Sequence, residues 1–590
     1  MSYTHPYSHR PWTKRYDAGV HASLQPYPSH PFHEFLHKAA EHHPNAPACV
    51  MSAHLPVVGR QRADMTYKEL DDLSDALAVA LSDMGVKKGD RVAIIMPNCT
   101  QFVMAFFGIL KAGAIVCATN PTYPAVKMQE QLADGGATTA ITMSLFYNTL
   151  KSIQAQTAIK NVIVTNIKEY LPPVARTLFT IAKEKKDGHR IEKAPNDHQL
   201  QDLLKRYRGR KLGIDVQSDD PAIFQYTGGT TGVPKAAVSS HHALVVNTLQ
   251  CRAFLLTNES RNSAELPVFM AAIPLFHVFG MVSVMGLAVT VSGSMLMVPN
   301  PRDIKEVLEV IHLYKPTFYM GVPAMYNAIN INPEVAAGKY HLRSIKACIS
   351  GSAPLAPATK KRFEELTGGK LVEGYGMSEA PTAFCVNPLN GENRTGSIGI
   401  PLPDVELRIV SLEDGVTDMP VGEVGEMVAW SPHLMSYYHN QPQETANALR
   451  VGPDGRKWLY TGDIAKMDED GYFYIVDRKK DMAIIGGFNV YPTMIEKVLA
   501  EHPAVQEAAV AKVPHPEKVG QETLMAWIIV KDGQVVTEKE IIDFAAKRLA
   551  RYEIPTRIQF TSELPRTIVG KVLRRELVEK QKEVEQVPAQ

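Results

Sequence analysis

Short apolar runs separated by helix-like segments dominate the first two thirds of the chain. RVAIIM (91–96), AIVCAT (114–119), TTAITM (138–143), NVIVTN (161–166), PVFMAAI (267–273), GSMLMV (293–298) and SIKACISG (344–351) are of strand length and rich in apolar residues. A helical stretch from about Gln101 to Ala112 separates the first two, and helix-like segments follow the others. This alternation predicts a parallel or mixed sheet covered by helices. The best-marked helix starts at Thr66, which forms a capping-box pair with Glu69. Leu70, Leu73, Leu77, Leu81 and Met84 then recur on one face until Gly85.

After Gly399 the texture changes to strand-like pieces and turns: VELRIV, GEMVAW, GYFYIVDRKKD and AIIGGFNVYP. QETLMAWIIV, a helix near Glu538–Leu549 and RIQF then predict a small α+β module. The charged run DRKKD (477–481) marks its boundary. The expected architecture is α/β, with an N-terminal arm over 1–35, a large domain of helix-covered sheets over 36–479 and a small α+β domain over 480–590. The arm is rich in His, Pro and Tyr but lacks the spacing of a metal site, and it predicts an irregular segment draped on the surface.

Composition narrows the class. A chain of 590 residues, 45% hydrophobic and 21% charged, can bury a large core and subdivides into several lobes. Lys and Arg total 63 against 62 Asp and Glu, so no overall field draws the molecule to nucleic acid. Six scattered cysteines include no CxxC pair, which predicts reduced thiols in a cytoplasmic protein. The first twenty residues have no apolar h-region, and stretches such as VMAFFGILKAGAIV stop short of a spanning length. The expectation is neither secretion nor membrane spanning.

One loop carries recognisable chemistry. AIFQY (222–226) reads as a strand that runs into TGGTTGVPK, with three glycines, three threonines and a terminal lysine. Glycines permit positive φ and close approach, so successive amides can form a nest for a polyphosphate, joined by the hydroxyls of Thr227, Thr230 and Thr231. A plain flexible turn is the alternative, which the length, hydroxyl content and lysine disfavour. The loop does not fit GxxxxGK[ST], because Lys235 follows Pro234 and precedes Ala236.

YTGGTTGVPK (226–235) closely resembles the phosphate loop of the adenylate-forming superfamily of acyl-CoA synthetases, adenylation domains and luciferases. The likeness runs from about Pro11 to Leu577. It implies that Thr227, Gly228, Gly229, Thr230, Thr231, Gly232 and Lys235 hold ATP phosphates. SGSAPL (350–355) and EGYGMSE (373–379) are similar to the adenine turn and its following motif. Gly351, Ser352, Ala353, Glu373, Gly374, Tyr375, Gly376 and Ser378 would then contact the nucleotide, with Tyr375 on the adenine. Glu379 and Thr230 would hold Mg2+. Ser378 stands where many relatives carry threonine, which keeps the hydroxyl.

YTGDIAKMDEDGYFYIVDRKKD (460–481) resembles the ribose segment, which implies roles for Asp463, Ile475 and Arg478, and a hinge at Lys480 about which the small domain moves. GGFNVYP (486–492) resembles the loop over the thiol channel, lined by Gly486, Gly487 and Phe488. LPRTIVGKVLRREL (564–577) resembles the terminal motif whose lysine, Lys571, serves the first half-reaction. PLFHVFG (274–280) places His277 near the substrate carboxylate, although a lone histidine among apolar residues is more often a satisfied core side chain. The catalytic set implied is Lys571, Glu379, Thr230 and His277.

The activity implied is ATP-dependent joining of a carboxylic acid to coenzyme A through an acyl-adenylate. The resemblance is nearest to bacterial medium- and long-chain fatty acid–CoA ligases, through PNPRDI, GSIGIPLPD and VDRKKDMAIIGGFNVYP. An aryl or short-chain acid, transfer to a carrier protein, or an idle nucleotide-binding scaffold are the competing readings. A homodimer stays open. LPPVARTLFTIAKEKKDGHR (171–190) places Val174, Leu178, Ile181 and Ala182 on one helical face, with Arg176, Lys183, Lys185 and Lys186 elsewhere. It either touches a membrane surface peripherally or packs on the parent domain with a solvated basic face.

Overall fold

The computed structural model describes residues 7–55, 59–227, 235–256, 265–485, 488–515, 521–567 and 570–586. By contact the chain groups into two compact units. One comprises Arg15–Val405 with Ser431–Ala446; the other comprises Met1–Lys14, Glu406–Trp430 and Asn447–Gln590.

In the first unit the apolar runs become central strands of two sheets. Arg91–Ile95 lies between Ile115–Ala118 and Thr139–Met143, all parallel, extended by Pro221–Thr227 on one side and Asn161–Thr165 on the other. Nearly every residue of the first three strands is buried. Burial on both faces is why the sequence displays continuous apolar runs in place of alternation. The helix Thr100–Lys111 is likewise internal, with only Lys111 incompletely buried.

In the second sheet, Lys370–Met377, Ala347–Ser350, Phe318–Gly321, Val268–Ala271, Ser294–Met297 and Pro47–Leu55 run parallel side by side. Antiparallel neighbours, Gly59–Thr66 and Ala380–Val386, flank this parallel core. The helix Tyr67–Asp83 opens with the expected capping box at Thr66 and Glu69 and buries Leu70, Leu77 and Leu81.

The second unit holds an antiparallel sheet of Glu406–Val410, Gly425–Trp430, Lys457–Met467, Leu449–Val451 and Phe473–Arg478. It also holds the expected α+β module. There Val505–Pro514 pairs antiparallel with Glu522–Val530, which pairs parallel with Arg557–Phe560. Helices Pro492–Ala500 and Glu538–Ala546 cover the module through Ile495, Leu499, Ile541 and Ala545.

The N-terminal arm departs from the expectation of a surface drape. Tyr7 and Trp12 are 0% and 1% exposed. The Tyr7 hydroxyl donates to the Met419 carbonyl at 2.8 Å, and Trp12 meets Phe473 edge-on at 6.2 Å. Isolated aromatic anchors among polar residues have no periodicity to announce a core role, though each removes a large apolar area from water.

The segment 171–190 is helical only over Pro173–Ala182. It packs through Ala175 and Phe179, so Val174 and Ile181 point away from the core, with Leu178 half-buried between them.

Candidate active site

Three strands of the second sheet deliver the site of the first unit. His277 follows the carboxyl end of Val268–Ala271, Gly351 and Ser352 follow Ala347–Ser350, and Gly374, Tyr375 and Gly376 close Lys370–Met377. Ligands of open α/β sheets collect at such carboxyl ends. These six residues line one cavity of about 500 Å3 including its mouth, together with Cys251, Val278, Phe279, Ser283, Met377, Thr382 and Val386 among others.

Local geometry explains why these residue types stand here. Gly376 lies so close to the returning strand that an added Cβ would fall 1.4 Å from the Thr382 carbonyl oxygen. Ser352 holds φ at +70°, a left-handed conformation uncommon outside glycine and frequent at binding sites. The Glu373 carboxylate pins this turn by accepting from the amides of Leu355 (3.2 Å) and Gly396 (2.9 Å). Ala353 sits in the same turn, its amide donating to Gly351. Ser378 occupies the turn before Ala380–Val386, and Tyr375 stacks toward Phe384 with centroids 6.5 Å apart.

His277 caps a short helix. Its Nδ1 accepts from the Phe279 amide at 3.2 Å, which places the proton of the neutral ring on Nε2. The next turn, Met281–Gly286, is π-helical, a geometry often found at functional sites. Burial pushes the Cys251 thiol up to about 12, so this cavity-lining sulfur stays protonated. The Thr382 hydroxyl has no partner among the described residues, a polar group suited to a polar ligand atom.

The glycine-rich loop joins an antiparallel pair, with Thr227 opposite Lys235 in register. Gly228, Gly229, Thr230, Thr231 and Gly232 lie outside the described residues. Lys235 is ion-paired with Glu444, and its ammonium lies 5.6 Å from the Tyr438 ring centre. The Tyr438 hydroxyl donates to Glu379 Oε1 at 2.7 Å. Burial, then the Glu379 charge, hold the phenol well above its usual range, so it remains a donor. Sequence reasoning missed Tyr438 and Glu444. They follow from the pairing of Tyr437–Tyr438 with Lys235–Ser240, which no local signal discloses.

Glu379 is buried and offers carboxylate oxygens to a cation. No group of three His, Cys, Asp or Glu gathers as a metal cage among the described residues. The carboxylate of Glu379 is a donor of the kind a magnesium ion takes, since such an ion uses one or two protein carboxylates and completes its shell with phosphate and water.

The remaining residues belong to the second unit. Asp463 lies opposite Arg478 in register, with Arg478 Nε 3.0 Å from Asp463 Oδ1, and Ile475 is on the same strand as Arg478. Lys480 is exposed in the turn that follows. The Phe488 ring is exposed and stacks on Tyr552 at 4.4 Å, while Gly486 and Gly487 lie outside the described residues. Lys571 is on a tight loop before the helix Arg574–Gln586.

Known proteins share this design. Residues 36–439 match the AMP-binding enzyme family, and 494–571 match the AMP-binding enzyme C-terminal domain. The long-chain-fatty-acid–CoA ligase of Bacillus subtilis strain 168 is 37% identical over 98% of this chain and 99% of its own. The ligase of the same name from Salmonella typhimurium strain LT2 is 34% identical over 96% and 97%. The crystal structure of the anthranilate CoA ligase AuaEII with anthranoyl-AMP superposes with a TM-score of 0.79 at 25% identity, covering 96% of this chain and all of that one. Matched in both parts and over nearly its full length, the chain belongs to the AMP-binding enzyme family.

Proposed function

We propose that the chain joins a medium- or long-chain fatty acid to coenzyme A, with ATP cleaved to AMP and pyrophosphate. The observation that carries this reading is the cavity that gathers His277 and the Gly351–Gly376 residues against apolar Val278, Phe279 and Val386. Such a chamber suits an acyl carboxylate beside a purine. The fold itself serves acids as different as anthranilate, so the acid is inferred from the long-chain relatives named above.

In the first step a carboxylate oxygen attacks the α-phosphorus of ATP. The bond to the β-phosphate breaks and pyrophosphate leaves with the bonding pair. Two anions approach each other, and the loop amides and hydroxyls at 227–232, Lys235 and Lys571 offset their repulsion as donors and cations. Magnesium held by Glu379 and Thr230 would supply further charge neutralisation. His277 donates from Nε2 to the carboxylate. Tyr375 packs on the adenine within the turn of Gly351, Ser352, Ala353, Glu373, Gly374, Gly376 and Ser378. Asp463, Arg478 and Ile475 hold the ribose.

In the second step the domain beyond Lys480 turns, withdraws Lys571 and brings Gly486, Gly487 and Phe488 to the thiol path. The CoA sulfur attacks the acyl carbon, the bond to AMP breaks, and the thiol proton passes to solvent.

Pyrophosphate release is to be measured over acids from acetate to oleate and benzoates, with and without CoA, for wild type and Lys571→Ala. Oleate-range acids should give the highest kcat/KM, and Lys571→Ala should lose adenylation by at least about 100-fold. A folded, ATP-binding protein that consumes ATP with no acid on the panel would sink the reading. Adenylate without thioester would redirect it to a carrier protein.

Among the described residues no helix is long and apolar enough to cross a membrane. Peripheral contact is a separate proposal, supported by helix Pro173–Ala182, where Val174 and Ile181 are 64% and 79% exposed on one ridge ahead of Lys183, Lys185 and Lys186. Reversing these three charges should weaken binding to anionic liposomes by at least about tenfold, given about 1 kcal/mol per lysine near such a surface. Indifference to the reversal sinks the idea.

A further inference from the structure

The loop that carries Lys571 is tightly built. The Thr567 amide donates to the Lys571 carbonyl at 2.8 Å, the Lys571 amide to Thr567 Oγ1 at 3.1 Å, and the Leu573 amide to the Pro565 carbonyl at 2.8 Å. Gly570 supplies the turn with φ at +82°, and Arg566 donates to the Gly570 carbonyl at 2.8 Å while ion-paired with Glu507. Internal hydrogen bonds fix the shape of such a loop but not its placement. Placement depends on what holds its root.

The root is Arg574, three residues after Lys571. Its guanidinium grips Glu496 with two bonds, Nε to Oε1 at 3.0 Å and Nη2 to Oε2 at 2.7 Å. Nη2 also donates to Thr493 Oγ1 at 3.0 Å, and Nη1 to Asp481 Oδ2 at 2.9 Å. Asp481 is the residue after Lys480. Thr493 in turn donates through its amide (2.9 Å) and hydroxyl (3.0 Å) to Asp477, three residues before Lys480. Glu496 Oε1 accepts from the Val510 amide at 2.7 Å, which ties the cluster to the module's edge strand Val505–Pro514. The side of the turn after Lys480 is thus fastened through one guanidinium to the foot of the Lys571 loop, while Asp477 before it meets the cluster only through Thr493.

A fork of this kind has directional bonds that an ammonium cannot reproduce. Its carboxylate partners lie at similar depth: Glu496 and Asp481 keep 18% and 23% of their side-chain surface, so the pairs are shielded without being sealed.

We propose that Arg574 is a positioning residue for adenylation: by clamping the Lys571 loop to Asp481, Thr493 and Glu496, it makes the loop one body with the segment that follows Lys480. A rotation at Lys480 then carries the Lys571 ammonium to a defined place instead of a spread of places. The proposal rests on the role of Lys571 given above. A displacement of about 1 Å at a reacting centre can cost about 100-fold in rate, which sets the scale of the expected effect.

The test separates the half-reactions in the full-length protein. Acyl-adenylate formation is followed by single-turnover pyrophosphate release, and thioester formation by supplying acyl-adenylate and CoA. Arg574→Lys keeps the charge but loses the fork, and Asp481→Asn loosens only the link to the hinge turn. Each should slow adenylation by about tenfold or more through kcat, with KM for ATP changed less than about twofold. Each should leave thioester formation within about twofold of wild type, and neither should slow adenylation further when combined with Lys571→Ala.

Equal losses in both half-reactions, additional loss on top of Lys571→Ala, or loss below about threefold in both variants overturns the proposal. If Arg574→Lys fails to fold, Asp481→Asn decides alone. Adenylation retained by Lys571→Ala would instead overturn the role of Lys571, so the two failures are distinguishable.

Discussion

Tyr438 donates to Glu379 and lies beneath the Lys235 ammonium, which gives one phenol contact with both charged groups assigned to phosphate chemistry. Its hydroxyl orients a buried carboxylate. A hydrogen bond to a charged group contributes about 1.5–3 kcal/mol, so Tyr438→Phe should lower kcat/KM for adenylation by about tenfold or more. Because the effect acts through Glu379, the magnesium concentration for half-maximal rate should rise with it. A variant with unaltered magnesium dependence would leave Tyr438 as packing alone. The motif residues Glu379 and Lys235 were legible because their types recur in a fixed local order. Tyr438 was not, because its place depends on a strand pairing with a partner about 200 residues earlier in the chain. Glu373 illustrates the reverse: the motif marks it, while the geometry adds that its carboxylate pins the turn after Ala347–Ser350 through the amides of Leu355 and Gly396.

Helix Pro173–Ala182 separates what periodicity can and cannot tell. The apolar positions 174, 178 and 181 share a face as their spacing predicts, yet the buried contacts come from Ala175 and Phe179. Periodicity identifies a stripe; it does not say which stripe meets the domain when two apolar stripes are present. Phe179→Ala should therefore destabilise the protein by about 3 kcal/mol, whereas Ile181→Ala should change stability by less than about 0.5 kcal/mol, both read from denaturant midpoints. Equal effects would contradict the orientation of the helix. The strands were more legible, since a parallel strand covered on both faces is largely apolar, as in RVAII and TAITM. Their order within each sheet was not, because hydrophobicity is the same whichever neighbour a strand pairs with.

At the scale of the whole molecule, acid sensitivity follows from histidines kept neutral inside the first unit. His433 is fully buried, bonded to Ser431 and approached by the Asn247 amide, and burial lowers it to about 3. His241 accepts from the Phe32 amide and is lowered to about 4, first by burial. His33, whose ring meets His241 edge-on at 5.9 Å, is lowered to about 3 by burial and then by the charges His241 and Lys111 would present, with Asp71 opposing. In the unfolded chain each would titrate near 6.5. Below that pH the unfolded state takes up protons that the folded state refuses, so stability is complete above about 6.5 and declines as pH falls toward 4. Each buried histidine contributes a slope of about 1.4 kcal/mol per pH unit across that window, and the three together about 4. Urea unfolding between pH 6.5 and 4.5 should display this decline, and His433→Gln, which keeps a neutral polar group at the site, should reduce its slope by about one third. An undiminished slope in that variant would assign the acid sensitivity to carboxylates instead, since their loss of charge depends on pairs such as Lys111 with Asp71 that the substitution leaves intact.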